Sequence, residues 1–303
     1  MNRRTFARRL AGAAFGATAL KSLAHEAKAV TAGESLDVPF KLSVMLWTVF
    51  PDLPFEQRLA KAAEAGYRNV ELVGEYGDWS EDDFKRANAK RTELGITFDA
   101  TAGLKHGLAN PYDRDALLLD LRQALAYMEK LGCPSIILLS GDVVLGMDRH
   151  EQHLSCIDGL KKAAELVEGK RINGEPVRLL LETIDPKENP NYFLTSMAEG
   201  FEIVKSVNHP QVQMLYDFFH EQIAEGNLIE KLEKNIQHVG LIHVADVPGR
   251  HEPGTGEINY ETIFRKLGQL KYDRTVAMEF VPTTDPMRKL REAREMALRA
   301  GRG

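Results

Sequence analysis

The runs Val177-Arg-Leu-Leu-Leu-Glu182, Val212-Gln-Met-Leu-Tyr-Asp217, Val239-Gly-Leu-Ile-His243 and Thr275-Val-Ala-Met-Glu279 follow one another through the C-terminal half of the chain. Each has the length and aliphatic content of a parallel strand buried on both faces, and each ends in a carboxylate or an imidazole. A strand of that kind has no structural reason to end in a charge, which is costly to bury unless it is paired or bound to a metal. Four such endings in succession predict a site where Glu182, Asp217, His243 and Glu279 meet around something cationic.

Upstream the same alternation continues. Strand-like segments lie at Lys41 to Leu46, Asn69 to Leu72, Thr97 to Thr101 and Ser135 to Leu139. Helical spacing of apolar residues marks Pro54 to Ala65, Ser80 to Leu94, Arg114 to Leu131, Arg149 to Val167, Leu194 to Val207, Ile229 to Asn235, Tyr260 to Leu270 and Pro286 to Leu298. Gly66, Gly95, Gly132 and Gly268 stand where helix C-caps are expected. Eight strand-helix pairs predict a single (β/α)₈ TIM barrel over residues 41–303. A doubly wound sheet commonly carries glycines after its first strand, and Ser43 to Phe50 has none. In a barrel the C-terminal strand ends converge on one mouth, so the four polar endings would face each other.

The first thirty residues are of another kind. Met1 to Leu10 carries Arg3, Arg4, Arg8 and Arg9, Ala11 to Leu20 is mildly apolar, and Ala27-Lys-Ala29 is a small-x-small cleavage site. That order is a secretory signal, and the Arg3-Arg4-Thr5-Phe6 start resembles a twin-arginine signal. The expected organisation is a signal at 1–29, a polar lead-in at 30–40 and the barrel, with the Tat machinery as export partner and a periplasmic or secreted location. The apolar stretch is too short to remain as a membrane span. Cys133 and Cys156 are the only cysteines and no C-x-x-C occurs, so two buried thiols are expected rather than a disulfide or a zinc finger.

Of the 303 residues, 44% are hydrophobic and 27% charged, with a net charge of -5. The basic residues form no stripe, which argues against a nucleic-acid partner. The composition does not fix an oligomeric state; assembly into a homo-oligomer is compatible with it.

Three carboxylates and one histidine make a hard, oxygen-rich ligand set suited to Mg²⁺ or Mn²⁺, with Co²⁺ also accommodated. Adjacent substrate oxygens could take the remaining positions, so that the neighbouring C–H becomes acidic. Glu182 and Glu279, on the fifth and eighth strands, form a natural pair for moving a proton between adjacent carbons. His220 and Arg250, just beyond the second and third runs, are within reach of substrate oxygens.

The segment from Gly240 to Tyr260, with its Glu252-Pro-Gly-Thr-Gly-Glu-Ile-Asn-Tyr260 core, resembles the hydroxypyruvate isomerase family of the xylose isomerase-like barrels. Leu181-Glu182, Tyr216-Asp217 through His220 and Met278-Glu279-Phe280 also match, and the likeness covers most of the mature chain, most weakly from Ala100 to Asp115. The resemblance implies metal ligands at Glu182, Asp217, His243 and Glu279, both glutamates as proton carriers, and His220 and Arg250 on the substrate, with Glu71 and Trp47 lining the pocket. It implies a metal-dependent isomerase of a small sugar or hydroxy-keto acid working through a cis-enediolate. The bacterial hydroxypyruvate isomerases carry Gln where this chain has His243; His there is more like the ketose 3-epimerases. A 3-epimerase, a lyase or hydratase acting on 3-keto-glycosides, a barrel endonuclease and a periplasmic sugar-binding protein are the rival readings.

Overall fold

The computed structural model describes residues 38–302; the signal expected at 1–29 and most of the lead-in lie outside the described residues. Eight parallel strands close into a barrel: β1 (Lys41–Met45), β2 (Asn69–Val73), β3 (Thr97–Ala102), β4 (Ser135–Leu139), β5 (Arg178–Glu182), β6 (Val212–Asp217), β7 (Val239–Val244) and β8 (Thr275–Met278). Closure is made by β1 against β8, with Lys41 opposite Thr275 and Val44 opposite Met278. The helices are α1 (Phe55–Glu64), α2 (Glu81–Leu94), α3 (Arg114–Leu131), α4 (Arg149–Val167), α5 (Met197–Val207), α6 (Phe218–Ala224), α7 (Leu228–Asn235), α8 (Tyr260–Gln269) and α9 (Pro286–Ala300). None of the described helices is long and apolar enough to cross a membrane.

The eight expected strands are all present. Three details differ from the sequence expectation. Residues Phe218–Ala224 form a helix directly after β6, a small hairpin pairs Arg171–Ile172 with Glu175–Pro176, and Gly268 lies inside α8 rather than capping it. Gly95 and Gly132 do sit in the left-handed conformation that ends α2 and α3, where a residue with a Cβ would be strained. Cys133 and Cys156 are free and buried, as expected.

Strand alternation builds two cores and aims the site. Outward residues such as Leu179, Leu181, Met214, Tyr216, Val276 and Met278 pack under the helices. Inward residues Met45, Ala100, Ala102, Ile137, Leu180, Leu215, Leu241 and Ala277 fill the barrel interior. Two residues beyond four of these plugs stand Glu182, Asp217, His243 and Glu279, so the pleat that buries the interior layer carries the four polar side chains one level higher, at the C-terminal mouth.

Candidate metal centre

Three of the four side chains are each held by a different device. Asp217 ends β6 and caps α6, its Oδ1 accepting from the N–H of Phe219 at 2.7 Å and of His220 at 3.3 Å. This capping leaves Oδ2 for the mouth. Glu279, directly after β8, has Oε1 engaged by the indole N–H of Trp47 at 2.9 Å, which turns Oε2 inward. His243 donates from Nε2 to Glu71 Oε2 at 2.9 Å, which places Nδ1 on the other side of the ring. Glu182, at the end of β5, faces the same space.

All four are buried, and one ligand atom from each lies within 4.8 Å of the others. His243 Nδ1 stands 2.7 Å from Glu279 Oε2, 3.9 Å from Glu182 Oε1 and 4.0 Å from Asp217 Oδ2, yet it has no hydrogen-bond partner. The close approach of Glu279 therefore lies outside hydrogen-bond geometry, and three carboxylate oxygens stand within 4.0 Å of this nitrogen. An imidazole nitrogen orphaned in a buried site, facing three carboxylate oxygens, is the arrangement a divalent cation completes. A hard ion such as Mg²⁺ or Mn²⁺ suits the donor set.

The electrostatics fit that reading. Burial, then the charge of Glu279, pushes Glu182 up to about 7. Burial acts the same way on Glu279, but Arg250, His243 and Trp47 outweigh it and hold this carboxyl well below the usual range. For His243 burial works against protonation, and the charges of Glu279 and Glu71 overcome it, so the metal-free ring binds a proton tightly. A metal bound here would have to displace that proton.

Arg250 and His220 close the mouth. Arg250 Nη2 contacts Glu279 Oε2 at 2.6 Å and Asp217 Oδ2 at 3.1 Å, and Nη1 is 3.1 Å from His220 Nε2. Its guanidinium carbon lies 4.8 Å from the Phe219 ring centre and 5.9 Å from that of Trp47. The backbone at Arg250 has a positive φ of 57°, a conformation costly for a side-chain-bearing residue unless its surroundings impose it. They do so through Asp246, which is fully buried. Its carboxylate accepts from the N–H groups of Val247, Gly254, Gly256 and Ile258, and Arg250 O accepts from Val281 N at 2.7 Å. Gly256 is required here, because a Cβ would come within 1.9 Å of Val247 O. Glu252 ties the far side of the loop to Thr283 and Lys289. The specific Glu-Pro-Gly-Thr-Gly segment is thus the clamp that presents Arg250.

Glu71, implied to line the pocket, is in the middle of β2, fully buried beside His243 Nε2. His220 lies just past the strand, on α6, and is buried. Trp47 lies in a 3₁₀ turn after β1, 39% exposed, and combines an open ring face with its bond to Glu279.

Asp185 was not anticipated. It lies three residues past Glu182, fully buried, with Oδ2 2.8 Å from His220 Nδ1. Burial raises its pKa, but the bond to His220 and the backbone donors reverse this, and the net shift is downward. For His220, burial lowers the pKa, and the charge of Asp217 together with the bond to Asp185 and the charge of Glu182 turns the net shift upward. The only sequence signal for Asp185 is an acidic residue shortly after a strand-end glutamate.

The family model for the xylose isomerase-like TIM barrel matches residues 59–300. A 2-oxo-tetronate isomerase of Pectobacterium atrosepticum is 31% identical over 80% of this chain and 92% of its own. A putative hydroxypyruvate isomerase of Danio rerio is 34% identical over 80% of this chain and 91% of its own. Among solved structures, an AP endonuclease, family 2, from Brucella melitensis superposes with a TM-score of 0.74 at 27% identity, covering 84% of this chain and 97% of that one.

Proposed function

The chain belongs to the xylose isomerase-like TIM barrel family, and from that premise we propose that it is a metal-dependent isomerase of a small 2-oxo acid or sugar bearing a hydroxyl beside its carbonyl. The observation that carries the reading is the unpartnered His243 Nδ1 aimed between Glu182, Asp217 and Glu279. The names of the two relatives support a hydroxy-keto acid as substrate.

Glu182, Asp217, His243 and Glu279 would hold the ion, which supplies polarisation of the substrate carbonyl and acidifies the adjacent C–H. Arg250, clamped by its loop, binds a carbonyl or carboxylate oxygen, and His220 binds a neighbouring oxygen. Glu182 has no hydrogen bond from a protein donor and titrates near neutrality, which suits it to take the proton from the carbon next to the carbonyl. The C–H electron pair moves into the carbon skeleton to give a cis-enediolate. A proton is delivered to the neighbouring carbon while the hydroxyl proton passes to the former carbonyl oxygen, so the hydroxyl carbon becomes the new carbonyl; Glu279, facing Glu182 across the centre, is the second proton carrier. The barrel endonuclease reading needs several metals and a basic groove, whereas among the described residues a single metal-competent cluster occurs. Export through a twin-arginine signal at residues 1–29 is part of the same proposal.

The test is proton NMR in D₂O of the Mg²⁺- or Mn²⁺-loaded protein with hydroxypyruvate, several ketoses and a 3-keto-glucoside. Deuterium beside the carbonyl with interconversion of hydroxypyruvate and its aldehyde isomer supports the proposal. Inversion of a ketose without isomerisation would make the protein a 3-epimerase, loss of an aglycone would make it a lyase, and no exchange with any compound would favour a sugar-binding protein.

A further inference from the structure

Asp185 does more than occupy a buried turn. Its Oδ1 accepts from the backbone N–H of Lys187 at 3.0 Å and of Glu188 at 2.8 Å, which fixes the carboxylate. Oδ2 is then presented to His220 Nδ1 at 2.8 Å. A carboxylate at that distance requires the proton to be on Nδ1, and it takes precedence over the Asp185 N–H, which lies 3.2 Å from the same nitrogen. On the opposite side of the ring, Nε2 faces Arg250 Nη1 at 3.1 Å. A guanidinium offers only donors, so Nε2 has to present its lone pair. Two contacts on opposite edges therefore select one tautomer, with Nδ1 protonated and Nε2 bare and directed at the metal centre, 3.5 Å from Asp217 Oδ2.

We propose that Asp185 is a specificity-determining positioning residue, locking His220 as a hydrogen-bond acceptor so that the site selects substrates with a free hydroxyl beside the carbonyl and rejects their deoxy analogues. This rests on the reading that substrate binds between the metal ligands, His220 and Arg250. Arg250 can serve only an oxygen that accepts, such as a carbonyl or carboxylate, and His220 Nε2 then needs a donor, which an O–H supplies. A deoxy analogue that draws the guanidinium away leaves Nε2 unpaired in a buried place, and sites built around a substrate hydroxyl discriminate strongly for this reason.

Two measurements on the Mg²⁺-loaded full-length protein test it. The first is ¹⁵N NMR of histidine-labelled protein without substrate, with the His220 signals assigned by His220→Asn. The proton is expected on Nδ1 in the wild type and in Asp185→Asn, whose amide oxygen still accepts, and to divide between the two nitrogens in Asp185→Ala, where the backbone N–H of residue 185 opposes a proton on Nδ1 while Arg250 opposes one on Nε2. The second compares affinity for hydroxypyruvate with inhibition by pyruvate, which lacks the hydroxyl. The wild type is expected to favour hydroxypyruvate by about tenfold or more, Asp185→Ala to lose most of that preference, and Asp185→Asn to keep it, with Mn²⁺ affinity alike in all three. A wild-type ring protonated on Nε2, or an Asp185→Ala protein that keeps the preference, overturns the proposal. A wild type that binds neither compound overturns the hydroxyl selection together with the functional reading, while the substrate-free NMR result still decides the role of Asp185.

Discussion

Glu71 lies against the outer nitrogen of His243, and changing it should weaken the proposed metal centre. The carboxylate accepts from His243 Nε2 at 2.9 Å in a fully buried position, and it is the contact that places Nδ1 on the other side of the ring. Glu71→Gln preserves an acceptor and removes the charge. A hydrogen bond to a charged group contributes about 1.5–3 kcal/mol and a neutral one about 0.5–1.5 kcal/mol, so the loss is about 1.4 kcal/mol, or about tenfold in the Kd for metal. Glu71→Leu removes the acceptor altogether and leaves the imidazole free to turn, with Nε2–H unpaired. A further 1.4 kcal/mol or so brings the total weakening to about a hundredfold, at the upper end of what partners of a ligating histidine usually contribute. The assay is titration with Mn²⁺ while free ion is counted by EPR, with thermal melts of the metal-free variants to show that each folds cooperatively. Affinity within about twofold of wild type for both variants would refute the assignment of Glu71 as the orienting group.

Glu182→Gln should fold and bind substrate while kcat falls by about a hundredfold or more; near-normal turnover would remove Glu182 from the mechanism. Trp47→Phe keeps an aromatic wall but frees Glu279 Oε1, so steady-state kinetics should show kcat lowered by about tenfold with little change in KM, and a change confined to KM would reduce Trp47 to a wall. Metal affinity should fall as pH drops through about 7, because Glu182 is raised to that value and His243 well above its ordinary one. Below their folded pKa values both groups hold protons that compete with the metal, and above them the protons are lost to solvent and the ligand atoms are free to bind it; calorimetric titrations across that range check the sign. Asp246→Ala leaves four backbone donors without their acceptor, so denaturant unfolding should register a loss of about 2–4 kcal/mol, with KM raised as Arg250 loses its fixed place.

The barrel and the four polar positions at its mouth could be read from sequence because one physical conflict marks them: a buried aliphatic strand ending in a charge. Glu182, Asp217, His243 and Glu279 each repeat that conflict, and the pleat then dictates that they share a level. Glu71 shows the same conflict, but its depth was not legible. The pairing of β2 with β3 slips by one residue between Val70 and Glu71, and the strand runs on to Val73, which puts the carboxylate below the mouth instead of at its edge. A slip of that kind leaves no mark in composition or spacing. Asp185 was missed for a different reason: it acts through an imidazole 35 residues away, and loop sequence does not reveal which neighbour a turn will meet. The helix that raises His220 follows from Asp217 itself, whose carboxylate caps Phe218–Ala224. A reading of Asp217 as ligand alone passed over its second oxygen.

The most direct test of the central claim is pulsed EPR of the Mn²⁺-loaded protein. One ion per chain, with hyperfine coupling to a single directly bound imidazole nitrogen that disappears in His243→Gln, is the expected result. Binding with no nitrogen coupling, or coupling that survives in His243→Gln, would contradict a centre built by Glu182, Asp217, His243 and Glu279.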